Sequence, residues 1–169
     1  CVPGEYGAET RFFWTPIYGT VSSRIRAVLL SVGPVFGIYV HFPFCRHRCS
    51  YCDFFSSTDY TDATFETYAA SLIAEIRRES PLLKHRFTPG AVVSLFWGGG
   101  TPSLFPPQVQ AKVFAALKEQ WEFSDGLEFT SEANPETVTD EKAAAWKAMG
   151  INRVSLGVQS TNQVALDLL

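Results

Sequence analysis

Three cysteines lie close together at Cys45, Cys49 and Cys52, in a C-x3-C-x2-C spacing that directly follows a short apolar run. Thiolates bind both zinc and the irons of iron–sulfur clusters, so the residue type alone leaves two interpretations open. In the first, the thiolates bind three irons of a [4Fe–4S] cluster and leave the fourth iron open. In the second, His41 or His47 completes a closed tetrahedral zinc site.

The spacing of these cysteines favours the cluster. Structural zinc sites usually combine two ligand pairs that are separated by a longer stretch, and no second pair follows here. The only other cysteine is Cys1. A disulfide would leave one of the three clustered thiols unpaired, and a coincidental run is the remaining alternative. Clustered thiols also predict a reducing compartment, and we expect the cytoplasm.

The residues around the cysteines predict alternating strands and helices. Four segments rich in β-branched and aromatic residues read as buried strands, at 36–42, 91–97, 127–133 and 152–158. A helix is predicted after each of them, with start signals at Thr61, Pro106, Thr139 and Thr161 and stop signals at Pro81 and Gly150. The first helix, expected to end at about Glu79, has its apolar face at Phe65, Tyr68, Leu72 and Ile76, and the second at Val109, Val113, Ala116 and Leu117.

This alternation predicts an α/β fold built from parallel βα units. In barrels of this type the active site lies at the carboxyl ends of the strands. The cysteine loop follows the first predicted strand, and three glycines, 98–100, follow the second. Glu132 and Gln159 end the third and fourth. We therefore expect these polar and thiol groups to lie at one edge of the sheet.

Four motifs in this order resemble the radical S-adenosylmethionine (SAM) superfamily. The motifs are Tyr39-x-His41-x-Pro43-Phe44-Cys45, the segment 98–103, Glu132-Ala133-Asn134-Pro135 and the segment 152–160. They are most similar to the oxygen-independent coproporphyrinogen oxidase branch, which includes the HemW-type haem chaperones. The resemblance covers about residues 37–169. It implies an incomplete parallel (β/α) barrel of radical SAM type, with about the first four βα units.

The resemblance also implies the cofactors and their ligands. Cys45, Cys49 and Cys52 would hold a [4Fe–4S] cluster, and SAM would bind the open iron through its amino and carboxylate groups. The positions that match SAM contacts of the family are Tyr39, Tyr51, Gly99, Gly100, Thr101, Glu132 and Gln159. Among them, Gly100 and Thr101 match a second SAM site. Without the resemblance, Glu132 reads as a solvated acid at a loop edge, and Gln159 as an amide at the barrel rim.

Within this branch, Phe54 distinguishes two functions. The decarboxylating oxidases carry a further cysteine at this position, whereas the chaperones show the Cys52-Asp53-Phe54 continuation. A haem chaperone is therefore expected, with the oxidase as the alternative and a zinc-stabilised binding module as an alternative of another class. The expected partners are SAM, haem or a porphyrin, and an electron donor such as flavodoxin or ferredoxin. The basic residues 46–48 either serve such a donor or form a solvated loop.

The composition limits the possible classes of protein but does not indicate a chemical activity. The formal net charge of -3 gives no argument for nucleic acid, and no apolar run approaches the roughly twenty residues that span a bilayer. Residues 1–35 carry none of the motifs of this resemblance and are predicted to be a disordered or non-native extension, with 24–30 as a possible short basic helix. Residues 36–169 are predicted to be the N-terminal part of a radical SAM core domain. Because the chain begins with Cys1 and ends in a helix-like segment, a fragment is expected.

Overall fold

The computed structural model describes residues 25–29, 36–84 and 91–168. Within these ranges the five strands are β1 (Ile25–Leu29), β2 (Phe36–Phe42), β3 (Val92–Gly99), β4 (Phe123–Ala133) and β5 (Arg153–Leu156). The helices are α1 (Asp62–Lys84), α2 (Pro107–Gln120), α3 (Asp140–Met149) and α4 (Gln163–Leu166). Two single turns of 3-10 helix lie at Pro102–Leu104 and Pro135–Thr137.

The strands form one sheet in the order β1-β2-β3-β4-β5. From β2 to β5 every neighbouring pair is parallel, which confirms the predicted α/β fold with four parallel strands and their helices. Side chains alternate along β2, where Phe36, Ile38, Val40 and Phe42 are buried. Parallel strands joined in sequence order through helices are the start of a (β/α) barrel, and this barrel is incomplete.

The helices bury the faces that the sequence pattern predicted. The predicted apolar residues of α1 and α2 are all buried: Phe65, Tyr68, Leu72, Ile76, Val109, Val113, Ala116 and Leu117. They join the core formed by β2, β3 and β4. Leu72 and Ile76 are fully buried, and truncation of such a side chain to alanine costs about 2–5 kcal/mol. The helix layer therefore holds the sheet in place beneath the strand ends.

β1 is an antiparallel edge strand, so a helix is the wrong interpretation for residues 25–29. It pairs with β2, with Ile25 opposite Val40 and Leu29 opposite Phe36. The free edge of β2 offers backbone donors and acceptors to any extended segment, a long-range pairing that a local pattern does not reveal. The other residues of 1–35 lie outside the described residues, so the domain boundary at residue 36 stays a prediction.

Four element boundaries differ from the expectation by two residues or more, and one of them is the end of β3, which lies at Gly99 rather than 97. α1 continues through Pro81 to Lys84, so the predicted end at Glu79 is wrong. A proline in the last turn removes a single backbone hydrogen bond, and the turn survives this loss. β4 begins at Phe123 rather than 127, and β5 ends at Leu156 rather than 158.

The predicted ends of α3 are confirmed. The Thr139 hydroxyl accepts a hydrogen bond from the Lys142 backbone N–H at 3.2 Å, as expected of an N-cap. Gly150 adopts a left-handed conformation with φ of 103° and ends the helix. Within the described ranges, no helix combines the length and the apolar character needed to cross a membrane.

Candidate functional site

A cleft of about 230 Å³ lies at the carboxyl ends of β2 to β5. Nine of the ten predicted site residues line it: Cys45, Cys49, Tyr51, Cys52, Gly99, Gly100, Thr101, Glu132 and Gln159. The parallel register explains this, because it brings the ends of four neighbouring strands to one edge. Tyr39 is the exception and is not part of the cleft lining.

The cysteine loop is closed by backbone hydrogen bonds at its base. Ser57 N–H donates to the Pro43 carbonyl at 2.7 Å, and Cys45 N–H donates to the Ser57 carbonyl at 3.0 Å. Inside the loop, Cys52 N–H donates to the Cys49 carbonyl at 3.1 Å. All three cysteines are free thiols and half-buried. The fold thus returns the chain on itself so that the three thiols share one cleft.

Tyr51 accompanies the thiols at the mouth of the cleft. Its ring is 53 % exposed, and its hydroxyl forms a hydrogen bond with Cys49. Partial desolvation raises the pKa of Tyr51, and the bond to Cys49 and the charges of Cys49 and Cys52 raise it further. The phenol therefore keeps its proton and remains a hydrogen-bond donor beside the sulfurs.

The end of β3 is fixed against β2 by two backbone hydrogen bonds. Gly100 N–H donates to the Phe42 carbonyl, and Thr101 N–H donates to the Phe44 carbonyl, both at 2.8 Å. A Cβ on Gly100 would lie 2.8–2.9 Å from backbone atoms of Phe42 and Phe44. Only glycine fits at this close approach of two backbones.

Gly99 has a separate reason to be glycine. Its φ is 109°, and a Cβ at this position would collide with the ring of His41. The sequence interpretation assigned the glycine run to ligand approach, whereas contacts within the protein already require it. Loss of SAM binding in a Gly99→Val variant would therefore reflect the displaced His41 as well as any block to SAM.

His41 uses both ring nitrogens within the protein. Nε2 donates to the Phe55 carbonyl at 3.1 Å, and Nδ1 accepts from the Tyr39 hydroxyl at 3.0 Å. Tyr39 also stacks on Phe96, with ring centroids 6.0 Å apart. Tyr39 therefore orients the histidine, and His41 links β2 to the end of the cysteine loop.

These contacts remove one of the two histidines that the zinc interpretation offered, and His47, which lines the cleft, stays open as the other. With both nitrogens engaged, His41 is not available as a zinc ligand. The described ranges contain no group of three or more His, Cys, Asp and Glu side chains placed around a single ion. In a [4Fe–4S] cluster each thiolate binds a different iron, so the sulfurs need not converge on one point. Three half-buried thiols in a cleft fit the cluster better than a closed zinc site.

Glu132 contacts the glycine run at the end of β3 directly. Its Oε2 accepts the Gly99 backbone N–H at 3.1 Å, and the side chain is half-buried. Burial raises the pKa of Glu132 above its ordinary value of 4.5, and the hydrogen bond from Gly99 opposes this shift. The carboxylate keeps further lone pairs, which can accept hydrogen bonds from hydroxyl or ammonium groups of a ligand.

The raised pKa of Glu132 predicts that ionisation of this side chain lowers the free energy of unfolding. The folded protein binds this proton more tightly than the unfolded chain, so the free energy of unfolding falls as pH rises from the unfolded to the folded pKa. We expect Glu132→Gln, which retains an acceptor for Gly99, to unfold at a higher temperature at neutral pH. Below the ordinary pKa of 4.5 the difference should vanish. Thermal unfolding across pH measures this, with the exposed Glu136→Gln as a control that should change nothing.

Several residues of the cleft were not among the predicted site residues. They are Arg46, His47, Phe54, Ala133, Asn134, Ser155, Leu156 and Gly157. Asn134 Nδ2 donates to the Thr101 hydroxyl at 3.4 Å, which links the ends of β3 and β4. Its place after Glu132 at a strand end was a signal that could have identified it. Burial lowers the pKa of Lys142 in α3, and repulsion by the positive charge of Arg46 lowers it further.

Comparison with protein families matches residues 39–169 to the Radical SAM superfamily. The heme chaperone HemW of Haemophilus influenzae is 36% identical over 136 residues, which are 80% of this chain and 36% of the relative. The oxygen-independent coproporphyrinogen III oxidase of Paracoccus denitrificans is 32% identical over 159 residues, 94% of this chain and 34% of the relative. The chain thus spans about a third of the length of these relatives.

A solved structure gives the same result for the fold. The coproporphyrinogen III oxidase HemN from Escherichia coli, a radical SAM enzyme, superposes with a TM-score of 0.68 at 30% identity. The match covers 75% of this chain and 28% of that structure. The matched family region begins at Tyr39 and contains all three clustered cysteines and the whole cleft. This chain therefore belongs to the radical SAM superfamily, whose members use a [4Fe–4S] cluster and S-adenosylmethionine.

Proposed function

We propose that the protein containing this chain is a HemW-like haem chaperone that binds a [4Fe–4S] cluster, SAM and haem. Membership of the superfamily implies the first two cofactors. Haem is suggested by the name of the Haemophilus influenzae relative, a heme chaperone. Because the chain spans about a third of such relatives, the haem site is assigned to the whole protein rather than to the described residues.

Cys45, Cys49 and Cys52 would hold the cluster and leave one iron for SAM. Support comes from the three free, half-buried thiols and from the cleft that they line together with Gly99 and Glu132. When bound, the cluster and SAM supply one-electron cleavage of the SAM sulfonium bond.

The protein's own groups would orient SAM in this cleft. Glu132 has lone pairs left after its bond to Gly99 and would accept hydrogen bonds from SAM hydroxyls or its ammonium group. Gln159, which lines the same cleft, offers both a donor and an acceptor. Tyr51 would cover the open side of the cleft. Tyr39 would act through His41 and not by touching SAM, because its hydroxyl is bound to His41.

The observation that favours a chaperone over an oxidase is Phe54. Phe54 is 66 % exposed and lines the cleft beside the cysteines, at the position where the resemblance implies a further cysteine in the oxidases. The change replaces a thiol with an inert apolar group next to the cluster. The oxidase remains the second candidate, because the relative from Paracoccus denitrificans and the structure from Escherichia coli carry that activity in their names.

An electron donor such as flavodoxin or ferredoxin would reduce the proposed cluster. The exposed loop residues Arg46, His47 and Arg48 lie next to the cysteines, and the two arginines offer positive charge to an acidic donor surface. Free thiols at the site require a reducing compartment, and we assign the protein to the cytoplasm on that ground.

The whole protein should bind haem and leave coproporphyrinogen III unchanged. The test combines a haem titration followed by absorbance with an anaerobic assay containing SAM and a reductant, after which the porphyrins are separated by chromatography. The Escherichia coli oxidase, run in parallel, should convert the substrate and validates the assay. Formation of protoporphyrinogen IX by this protein would establish the oxidase function instead. Absence of haem binding would exclude the chaperone function.

A further inference from the structure

Thr101 occupies a position where a threonine usually caps a helix, yet its hydroxyl is used elsewhere. It precedes the 3-10 turn Pro102–Leu104, and no side-chain capping bond is formed there. Threonine at such a position normally accepts a hydrogen bond from a backbone N–H of the first turn. Here its Oγ1 donates to the Cys45 sulfur at 3.5 Å. The side chain therefore serves the cysteine and not the turn.

Asn134 sets the direction of this hydrogen bond. Its Nδ2 donates to the Thr101 Oγ1 at 3.4 Å, which occupies a lone pair of the hydroxyl and leaves its proton for Cys45. The result is a chain of two bonds from Asn134 through Thr101 to the sulfur. Hydrogen bonds in such a chain polarise and strengthen one another.

The position of the hydroxyl is held by the backbone. Thr101 N–H donates to the Phe44 carbonyl at 2.8 Å, directly before Cys45 in the chain. Gly100 N–H donates to the carbonyl of Phe42, the last residue of β2. Thr101 is 4 % exposed, so water does not replace the bond to sulfur. The hydroxyl and Cys45 are thus fixed to the same short piece of backbone.

We propose that Thr101, oriented by Asn134, is a positioning residue that raises the reduction potential of the cluster through its hydrogen bond to Cys45. The inference rests on the proposed cluster. One-electron reduction by an external donor adds negative charge that is shared by the thiolate sulfurs. A hydrogen-bond donor stabilises that charge, and such bonds are among the determinants of cluster potentials.

The test is an anaerobic redox titration of the reconstituted protein with dithionite, followed by electron paramagnetic resonance of the reduced cluster. Thr101→Val keeps the size of the side chain and removes the hydroxyl, so the midpoint potential should shift to more negative values. Thr101→Ser retains the donor and should stay close to the parent protein. Asn134→Leu introduces no charge and removes the donor that directs the hydroxyl proton, so the potential should shift in the same direction by a smaller amount. This second variant decides the matter if Thr101→Val does not take up iron.

An unchanged potential in Thr101→Val, or an equal shift in Thr101→Ser, would overturn this role for the hydroxyl. If Thr101→Val holds no iron, an unchanged potential in Asn134→Leu would overturn the proposed chain of bonds from Asn134 through Thr101 to Cys45. A different failure points elsewhere: if the parent protein takes up no cluster, the proposed cofactor is wrong, and this inference falls with it.

Discussion

We expect Cys45→Ala, Cys49→Ala and Cys52→Ala each to abolish the cluster in protein reconstituted anaerobically with iron and sulfide. Each thiolate would bind a different iron, so alanine leaves one more iron without a protein ligand. The remaining residues of the cleft do not replace it, because the described ranges hold no other cysteine than these three. Colorimetric iron and sulfide determination measures the loss, which should be nearly complete for every one of the three variants.

Ser50→Ala is the matched control, since Ser50 is exposed and lies between two of the cysteines in the same loop. It should take up as much iron and sulfide as the parent protein. Full iron content in any of the three cysteine variants would contradict the ligand assignment. Thermal unfolding of the apo forms separates loss of ligand from loss of fold, and we expect little change there because the cysteine side chains are only half-buried.

The second large effect is expected at Gly100. A Cβ at this position lies within 2.9 Å of the Phe42 carbonyl oxygen and 2.8 Å of the Phe44 carbonyl oxygen. Because these are backbone atoms, no side-chain rotation relieves the overlap, and the two hydrogen bonds that close the β3 end must distort. We expect Gly100→Ala to lower the free energy of unfolding by about 3 kcal/mol, from overpacking and weakened hydrogen bonds together.

Chemical denaturation of the apo protein checks this expectation. Gly126→Ala is the matched control within the same sheet, because a Cβ there has no heavy atom within 4 Å. It should change stability by less than about 0.5 kcal/mol. Equal stability of the two variants would mean that the close approach at Gly100 relaxes without cost, and the structural reason for the glycine would be lost.

The parts of the fold that follow from local pattern were predictable. The period of Phe65, Tyr68, Leu72 and Ile76 identified the buried face of α1. Thr139 and Gly150 identified the ends of α3, because capping chemistry is set by one or two residues. The expectation that the cysteine loop, the glycine run and Glu132 share one edge followed from the βα alternation, and the cleft contains all of them.

Features that depend on partners distant in sequence were not predictable in this way. β1 forms because it pairs with the free edge of β2, and the sequence of residues 25–29 does not by itself indicate this partner. The use of Tyr39 and His41 as a pair became visible only when β2 and the cysteine loop were placed together. The same holds for Thr101, whose hydrogen-bond partner lies more than fifty residues away in the chain. Side-chain direction in these cases is a property of the assembled sheet.

The content of the cysteine site is tested most directly by metal and sulfide analysis of the anaerobically reconstituted chain. The three-thiolate assignment predicts about four irons and about four sulfides per chain, with zinc absent. One zinc per chain that iron does not displace would contradict the cluster and establish the closed zinc site in its place.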